Sequence, residues 1–275
     1  MSNYVHPEVL VDTQWLAENL NDDKIRIVEV AVNSQKIPDR VIPGAVVWNP
    51  FTDLMLPDFK VNLDQTNIEK LLSRSGIEND STVIVYGELA AVGGWIFWLL
   101  KMFGHHDVKV LDGGRNKWIS GKRPLESVKT VANLTQYHAQ EPDFNLRMQF
   151  EDVRKSINQP DSVIVDVRTP QEYNGEWFYD KPPENGERAG NIPSAVHIYY
   201  ESVLNEDGTL KPVEELRSIY ESKGITADKQ IIPYCAVGAR SAHTWFVLKY
   251  LLGYPNVRNY DGSWNEWSRR YEVKS

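Results

Sequence analysis

The only cysteine of the 275-residue chain, Cys235, opens the segment Cys235-Ala236-Val237-Gly238-Ala239-Arg240. A lone thiol is by itself more often a small buried hydrophobe than a nucleophile. The neighbours of Cys235 argue for the second role. Before it, Gln230-Ile-Ile-Pro-Tyr-Cys235 reads as a buried strand; after it, Ser241–Leu252 reads as a helix with Trp245, Leu248 and Leu252 on one face. A short loop running into a helix start turns several backbone N–H groups toward one point and adds the positive end of the helix dipole. A thiolate placed there has its pKa lowered from about 8.5 and is the reactive species at neutral pH. Gly238 lets the backbone turn inward, and Arg240 offers a fork of donors suited to a tetrahedral oxyanion.

Around this loop the chain repeats itself. Ile25-Arg-Ile-Val-Glu-Val30 and Ser162-Val-Ile-Val-Asp-Val167 are β-branched runs ending near an acid; Ile42-Pro43-Gly44-Ala45-Val46 recurs as Ile192-Pro193-Ser194-Ala195-Val196; Asp112-Gly113 before Trp118 recurs as Asp261-Gly262 before Trp267. The offset is 137 residues at the strand and 150 at the Ile-Pro element, so 13 extra residues fall within Thr169–Arg188, a loop rich in Pro, Gly and Asn. Helical stretches at Asp64–Ser75, Gly94–Phe103 and Pro212–Lys223 alternate with strands, which predicts an α/β domain with a mainly parallel sheet, twice over. In such sheets ligands bind beyond the carboxyl ends of the strands, where Cys235 lies. The expected division is an N-terminal domain over 1–124, a linker over 125–147 that overlaps the polar stretch Gly121–Asn145, and a C-terminal domain over 148–275 that carries the cysteine.

A formal net charge of −8 gives no basic face for nucleic acid or anionic lipid, and neither is expected as a partner. The longest apolar run, Trp95 to Leu100, is far short of the roughly 20 residues of a membrane helix, and the first fifteen residues lack the order of a signal peptide, so a cytoplasmic location is expected. One cysteine excludes an intramolecular disulfide framework, and His105-His106 and His138 lack a second ligand at metal spacing; no metal and no cofactor are expected. Gly93-Gly94 and Asp112-Gly113-Gly114 lack the full dinucleotide or phosphate-loop pattern and read as turns. Pro233, two residues before the cysteine, is out of place in a central strand. Asp166 and Arg168 read as a structural ion pair before a catalytic one, and His243 as a packed or solvated helix residue.

The repeated halves, the paired Ile-Pro elements, Leu111-Asp-Gly-Gly114, Tyr260-Asp-Gly-Ser-Trp264 and Tyr234-Cys-Ala-Val-Gly-Ala-Arg-Ser241 together resemble the two-domain rhodaneses, the thiosulfate sulfurtransferases. The resemblance spans nearly the whole chain. It implies two tandem rhodanese domains, each a mainly parallel sheet flanked by helices, with the nucleophile only in the second; the first-half counterpart, Tyr86-Gly87-Glu88, has no cysteine. Related phosphatases and arsenate reductases have one residue more between cysteine and arginine, whereas the shorter loop here suits a cysteine persulfide. The implied reaction moves sulfane sulfur from thiosulfate to cyanide or a small thiol through a persulfide on Cys235, with Arg240, Ala236, Val237, Gly238 and Ala239 binding the substrate. The alternatives are a 3-mercaptopyruvate sulfurtransferase and a persulfide carrier with little turnover. Apolar Ala236-Val237 match neither the mercaptopyruvate loop nor the vertebrate thiosulfate loop, and the placement of Arg240 as the only loop charge resembles bacterial and archaeal thiosulfate enzymes. The position of the family's second substrate-binding arginine lines up with Glu172, which disfavours mercaptopyruvate and leaves Arg240 to hold a sulfonate; the structural alternative is that Arg240 caps the helix or pairs with a carboxylate such as Glu172 or Asp166.

Overall fold

Strand-forming runs of Val and Ile with no polar face, such as Ile25–Val30 and Thr82–Gly87, demand cover on both sides, the condition of a parallel sheet. The computed structural model describes residues 3–32, 38–128, 134–184 and 186–270. Residues 129–133 of the expected linker and Asn185 of the expected loop lie outside the described residues. The chain forms two units.

One unit contains His6–Asp143 and Leu204–Lys211. Its strands are β1 (Leu10–Val11), β2 (Ile25–Val30), β3 (Arg40–Val41), β4 (Ala45–Trp48), β5 (Thr82–Gly87), β6 (Val108–Leu111) and β7 (Glu126–Ser127). Five make a parallel sheet in the order β1-β6-β5-β2-β4, while β3 and β7 pair antiparallel. Helix α1 (Ala91–Met102) is buried at every position but Lys101, so the apolar run Trp95–Leu100 is a core helix. No described helix is long and apolar enough to cross a membrane. The reading of Gly93-Gly94 as a turn is corrected: both lie inside α1. A Cβ on Gly93 would sit 2.6 Å from a methyl of Val110, so the glycine allows the helix to lie close on β6. The segment Leu204–Lys211 closes on itself through a Leu204–Leu210 bridge, and its Leu210 N–H donates to the Asp112 carboxylate at 2.9 Å.

The other unit contains described residues 3–5, Phe144–Val203 and 212–270. Its strands β8 (Ser162–Asp166), β9 (Val196–His197) and β10 (Gln230–Tyr234) form a parallel sheet in the order β10-β8-β9. Helices α2 (Pro170–Tyr173), α3 (Ala239–Phe246) and α4 (Ser263–Arg270) surround the site. Cys235 falls just past β10, because its N–H turns to the Ser263 hydroxyl at 3.0 Å. The helix begins at Ala239 instead of Ser241, which puts Arg240 in its first turn, and a π-helical stretch Val247–Leu251 continues it. Pro233 also finds its reason. Even-numbered β10 residues bond toward β8, as when Tyr234 O accepts from Val167 N–H at 3.1 Å. The odd ones face the irregular segment 256–260, where Arg258 N–H donates to Ile231 O and Tyr260 N–H to Pro233 O, both at 3.0 Å. On that side β10 has only an isolated bridge, and the missing donor of Pro233 interrupts no regular ladder.

Both halves build one buried device from different sequence. In the first, the Tyr86 hydroxyl at the end of β5 donates to Glu29 and accepts from Ile42 N–H at 3.0 Å. In the second, the Tyr234 hydroxyl donates to Asp166 and accepts from Ile192 N–H at 3.0 Å. Each acid has one arginine. Arg115, in the first turn of the helix Gly114–Ser120 that follows β6, reaches Glu29 at 2.6 and 2.8 Å; Arg168, two residues after Asp166, reaches Asp166 at 2.6 Å with both side chains fully buried. Trp264 stands where the first repeat has Arg115, and the Arg168 guanidinium stacks 4.6 Å from its ring centroid. The structural reading of Asp166 and Arg168 agrees with this complete burial. Removing one member of such a pair leaves a buried charge without compensation, so Arg168→Leu is expected to cost about 3–5 kcal/mol. Urea unfolding of Arg168→Leu beside Asp166→Asn/Arg168→Leu measures it; the double variant should recover part of the loss, and equal loss in both speaks against an ion-pair role.

Candidate active site

The backbone reverses direction at Gly238, whose φ of +92° is open only to glycine without strain, and a Cβ there would sit 2.7 Å from Asp261 O. This close approach brings the Gly238 N–H to 3.1 Å from Cys235 Sγ. The Ser241 and Ser263 hydroxyls lie 3.6 and 3.9 Å from the same sulfur. Ser263 accepts from Cys235 N–H and donates to Tyr260 O at 2.8 Å, and its φ of +52° is unusual for a residue with a side chain. Behind the loop, Cys235 O accepts from Trp264 N–H and Ala236 O from Asn265 N–H, each at 2.9 Å, so the start of α4 clamps the loop through its carbonyls and leaves its N–H groups to face the sulfur. Burial pushes the thiol up, but the charge of Arg240 and the N–H groups of Ser241 and Val237 outweigh it and hold Cys235 below its ordinary value.

Among the predicted site residues, Cys235, Ala236 and Gly238 are buried, and Val237, Ala239 and Arg240 are half-buried. Arg240 does not present a free fork. Its two terminal nitrogens hold the Glu172 carboxylate at 2.7 and 2.9 Å. Glu172 is 1% exposed and completes a capping box with Thr169 at the start of α2. Burial pushes the Glu172 carboxyl up, and the hydrogen bonds and charge of Arg240 reverse this, leaving it below the usual carboxylate range. The position that the family gives a cation therefore holds an anion, and the arginine of the loop neutralises it. Sequence reasoning preferred a sulfonate as the partner of Arg240 over a carboxylate such as Glu172 or Asp166; the side chain that meets it is Glu172, 68 residues away. It also passed over Ser241 and Ser263, although the change from Asp112-Gly-Gly-Arg115 to Asp261-Gly-Ser-Trp264 marked Ser263.

The polar stretch Thr169–Arg188 does more than connect. Phe178 enters the core of the unit, and Tyr179, at φ +62°, donates its hydroxyl to Asn265 Oδ1 at 2.8 Å.

A description of the rhodanese-like domain matches residues 12–120 and 149–270. The chain belongs to the rhodanese family. It is 44% identical over 273 residues to the sulfur carrier protein TtuD of Thermus thermophilus, covering 96% of this chain and 95% of that one. It is 43% identical to a protein of Saccharopolyspora erythraea provisionally named a thiosulfate sulfurtransferase, covering 94% and 93%, and 36% identical to one so named in Haloferax volcanii, covering 94% and 93%. The anaerobic ergothioneine biosynthesis enzyme of Chlorobium limicola shares the fold, with a TM-score of 0.80 at 23% identity over 98% of this chain and 70% of that one. The protein is thus a rhodanese-type sulfurtransferase by family, with parallel sheets flanked by helices in two rhodanese domains.

The first rhodanese domain has Gly87 after Tyr86, where the second has Cys235 after Tyr234. A Cβ on Gly87 would meet a Val92 methyl at 2.5 Å and Val30 O at 2.8 Å, so the volume a nucleophile needs is already filled.

His243, one turn after Arg240, is buried with the edge of Tyr200 beside it, and neither ring nitrogen has a hydrogen-bond partner among the described residues. Burial pushes it down to about 4. Its folded value lies below the unfolded one, so the unfolded chain takes the proton first and stability is lost as pH falls from about 6.5 toward about 4, by up to about 3 kcal/mol. Urea unfolding of wild type and His243→Leu at pH 7 and pH 4.5 isolates this share: the variant should lose less on acidification, and parallel losses would show that His243 does not titrate in that window.

Proposed function

We propose that the protein is a thiosulfate sulfurtransferase that works by double displacement at Cys235. The Cys235 thiolate attacks the outer sulfur of thiosulfate; a Cys–S–S bond forms, the S–S bond of thiosulfate breaks, and sulfite leaves with the bonding pair. Cyanide or a small thiol then attacks the outer sulfur of the persulfide, the new S–S bond breaks, and the thiolate is restored. The observation that carries this reading is the Gly238 N–H aimed at Sγ at 3.1 Å from a loop of six residues, supported by the lowered thiol. The loop amides suit a compact sulfur anion such as the outer sulfur of thiosulfate.

A second reading is a carrier that accepts a persulfide and hands it to a protein partner with little turnover on thiosulfate. The relative named a sulfur carrier protein at 44% identity favours it, as does a sulfur atom in a residue only 1% exposed.

Intact-mass measurement after thiosulfate treatment separates these. Wild type should gain about 32 Da, one sulfur, and Cys235→Ser none, since serine cannot form the persulfide. Cyanide should then discharge the adduct as thiocyanate over many cycles. An adduct retained by Cys235→Ser would sink the assignment of Cys235; loading without repeated turnover selects the carrier; mercaptopyruvate outperforming thiosulfate overturns the donor.

Arg240 acts in this scheme on the thiol's charge as well as on Glu172. Arg240→Ala should move the acid limb of the loading-rate profile to higher pH, because the thiolate loses its nearest cation, and should lower the melting temperature, because Glu172 is left buried and unpaired. An unshifted pH profile would restrict Arg240 to a structural role.

A further inference from the structure

The pairing of Arg240 with Glu172 leaves a question of charge. Both terminal nitrogens of Arg240 are engaged by the carboxylate, so the pair meets an incoming thiosulfate dianion as a neutral unit. On the other flank of the loop stands a cation in a different condition. Arg269, in the last turn of α4, is exposed and has no carboxylate partner among the described residues. One of its terminal nitrogens, Nη1, donates to both the backbone carbonyl and Oδ1 of Asn265. The Arg269 side chain also hydrogen-bonds the Tyr179 phenol.

Asn265 fixes this guanidinium relative to the reactive loop. Its own N–H donates to Ala236 O at 2.9 Å, next to Cys235, and its Oδ1 also takes the Tyr179 hydroxyl at 2.8 Å. Tyr179 reports where the cluster sits: burial raises its phenol first, Arg269 lowers it, and the Cys235 and Glu172 charges raise it further. Cys235, Glu172, Tyr179 and Arg269 are therefore within electrostatic reach of one another, with the insertion of the second repeat supplying Tyr179 from one side and α4 supplying Arg269 from the other.

We propose that Arg269 binds the sulfonate end of the sulfur donor, held in place by Asn265 and Tyr179, and so takes over the anion-binding role that Glu172 removes from Arg240. This rests on the reading of Cys235 as the thiosulfate-accepting nucleophile. A guanidinium has five N–H donors, more than Asn265 and Tyr179 engage, and those left over can meet the oxygens of a tetrahedral oxyanion, a role that arginine fills better than lysine.

The loading of Cys235 by thiosulfate, followed by intact mass at varied donor concentration, tests it in the full chain. Arg269→Gln should raise the half-saturating thiosulfate concentration by about tenfold to a hundredfold, leave the maximal loading rate within about twofold, and leave the melting temperature unchanged; Arg269→Lys should recover part of the loss. Methanethiosulfonate provides a second readout. It gives up the same kind of sulfur, with methanesulfinate leaving as the S–S bond breaks, but carries one charge fewer; the advantage of thiosulfate over it should shrink in Arg269→Gln. An unchanged half-saturation, or a lower maximal rate with a lower melting temperature, overturns the role of Arg269 and assigns it to the helix end alone. Failure of the wild type to load from thiosulfate sinks the proposed function itself, a result distinguishable because it needs no variant.

Discussion

The Tyr234 hydroxyl sits where three pieces of backbone meet. It donates to Asp166 at the end of β8, accepts from Ile192 N–H in the connection leading to β9, and stands on the last residue of β10. Cys235 follows it directly, so the starting point of the reactive loop is set by a phenol that cannot move without exposing a buried carboxylate. Burial and the adjacent Asp166 charge push that phenol far above its ordinary value, which keeps it a donor at every pH the fold survives. Arg168 then balances Asp166, and Trp264 covers Arg168. From Trp264 the same short segment reaches the loop carbonyls, so the ion pair and the sulfur site are braced by one helix start.

Electrostatics at the sulfur follow from this bracing. The loop N–H groups are free to face Sγ only because Trp264 and Asn265 hold the carbonyls on the far side. Burial alone would make Cys235 an inert thiol; oriented amides and the nearby guanidinium reverse the sign. The Glu172–Arg240 pair has a double effect. It keeps a cation near the thiolate yet removes that cation's hydrogen-bonding edge from the substrate. Under the roles proposed for Arg240 and Arg269, the group that activates the thiol is separate from the group that would recognise the donor.

Local features of the sequence carried the fold and the placement of Cys235. The β-branched runs, the repeated Ile-Pro and Asp-Gly elements and the strand–cysteine–glycine–arginine order each depend on residues close in the chain, and each stands where expected, with Cys235 one residue past its strand. What escaped depends on partners far away. Gly93-Gly94 looks like a turn until Val110 is seen against it. Pro233 looks wrong for a central strand until β10 proves to have a regular neighbour on one side only. Arg240 reads first as an anion binder and only second as the partner of a carboxylate, and it is Glu172 of α2 that closes on it. The insertion Thr169–Arg188 reads as polar loop, and its aromatic run Trp177-Phe178-Tyr179 contains the two residues, Phe178 and Tyr179, that reach the core and Asn265.

The two tyrosine–acid devices bear on how such a chain can change over generations. Each half has one arginine per buried acid, yet the arginine comes from the first turn of the helix Gly114–Ser120 in the first and from just past the strand end in the second. If both halves descend from one duplicated repeat, at least two substitutions separate them, and their order matters. Losing the arginine first would strand a buried carboxylate at a cost of about 3–5 kcal/mol, a large part of the stability of a typical domain. Gaining the second arginine first adds only a surplus cation near an acid already satisfied, and Arg115, partly exposed, shows that the helix position can keep its charge in contact with water. On that premise the less costly path runs through an ancestor with two arginines on one carboxylate. Along that path the helix position is then released to become Trp264, whose backbone N–H holds the Cys235 carbonyl.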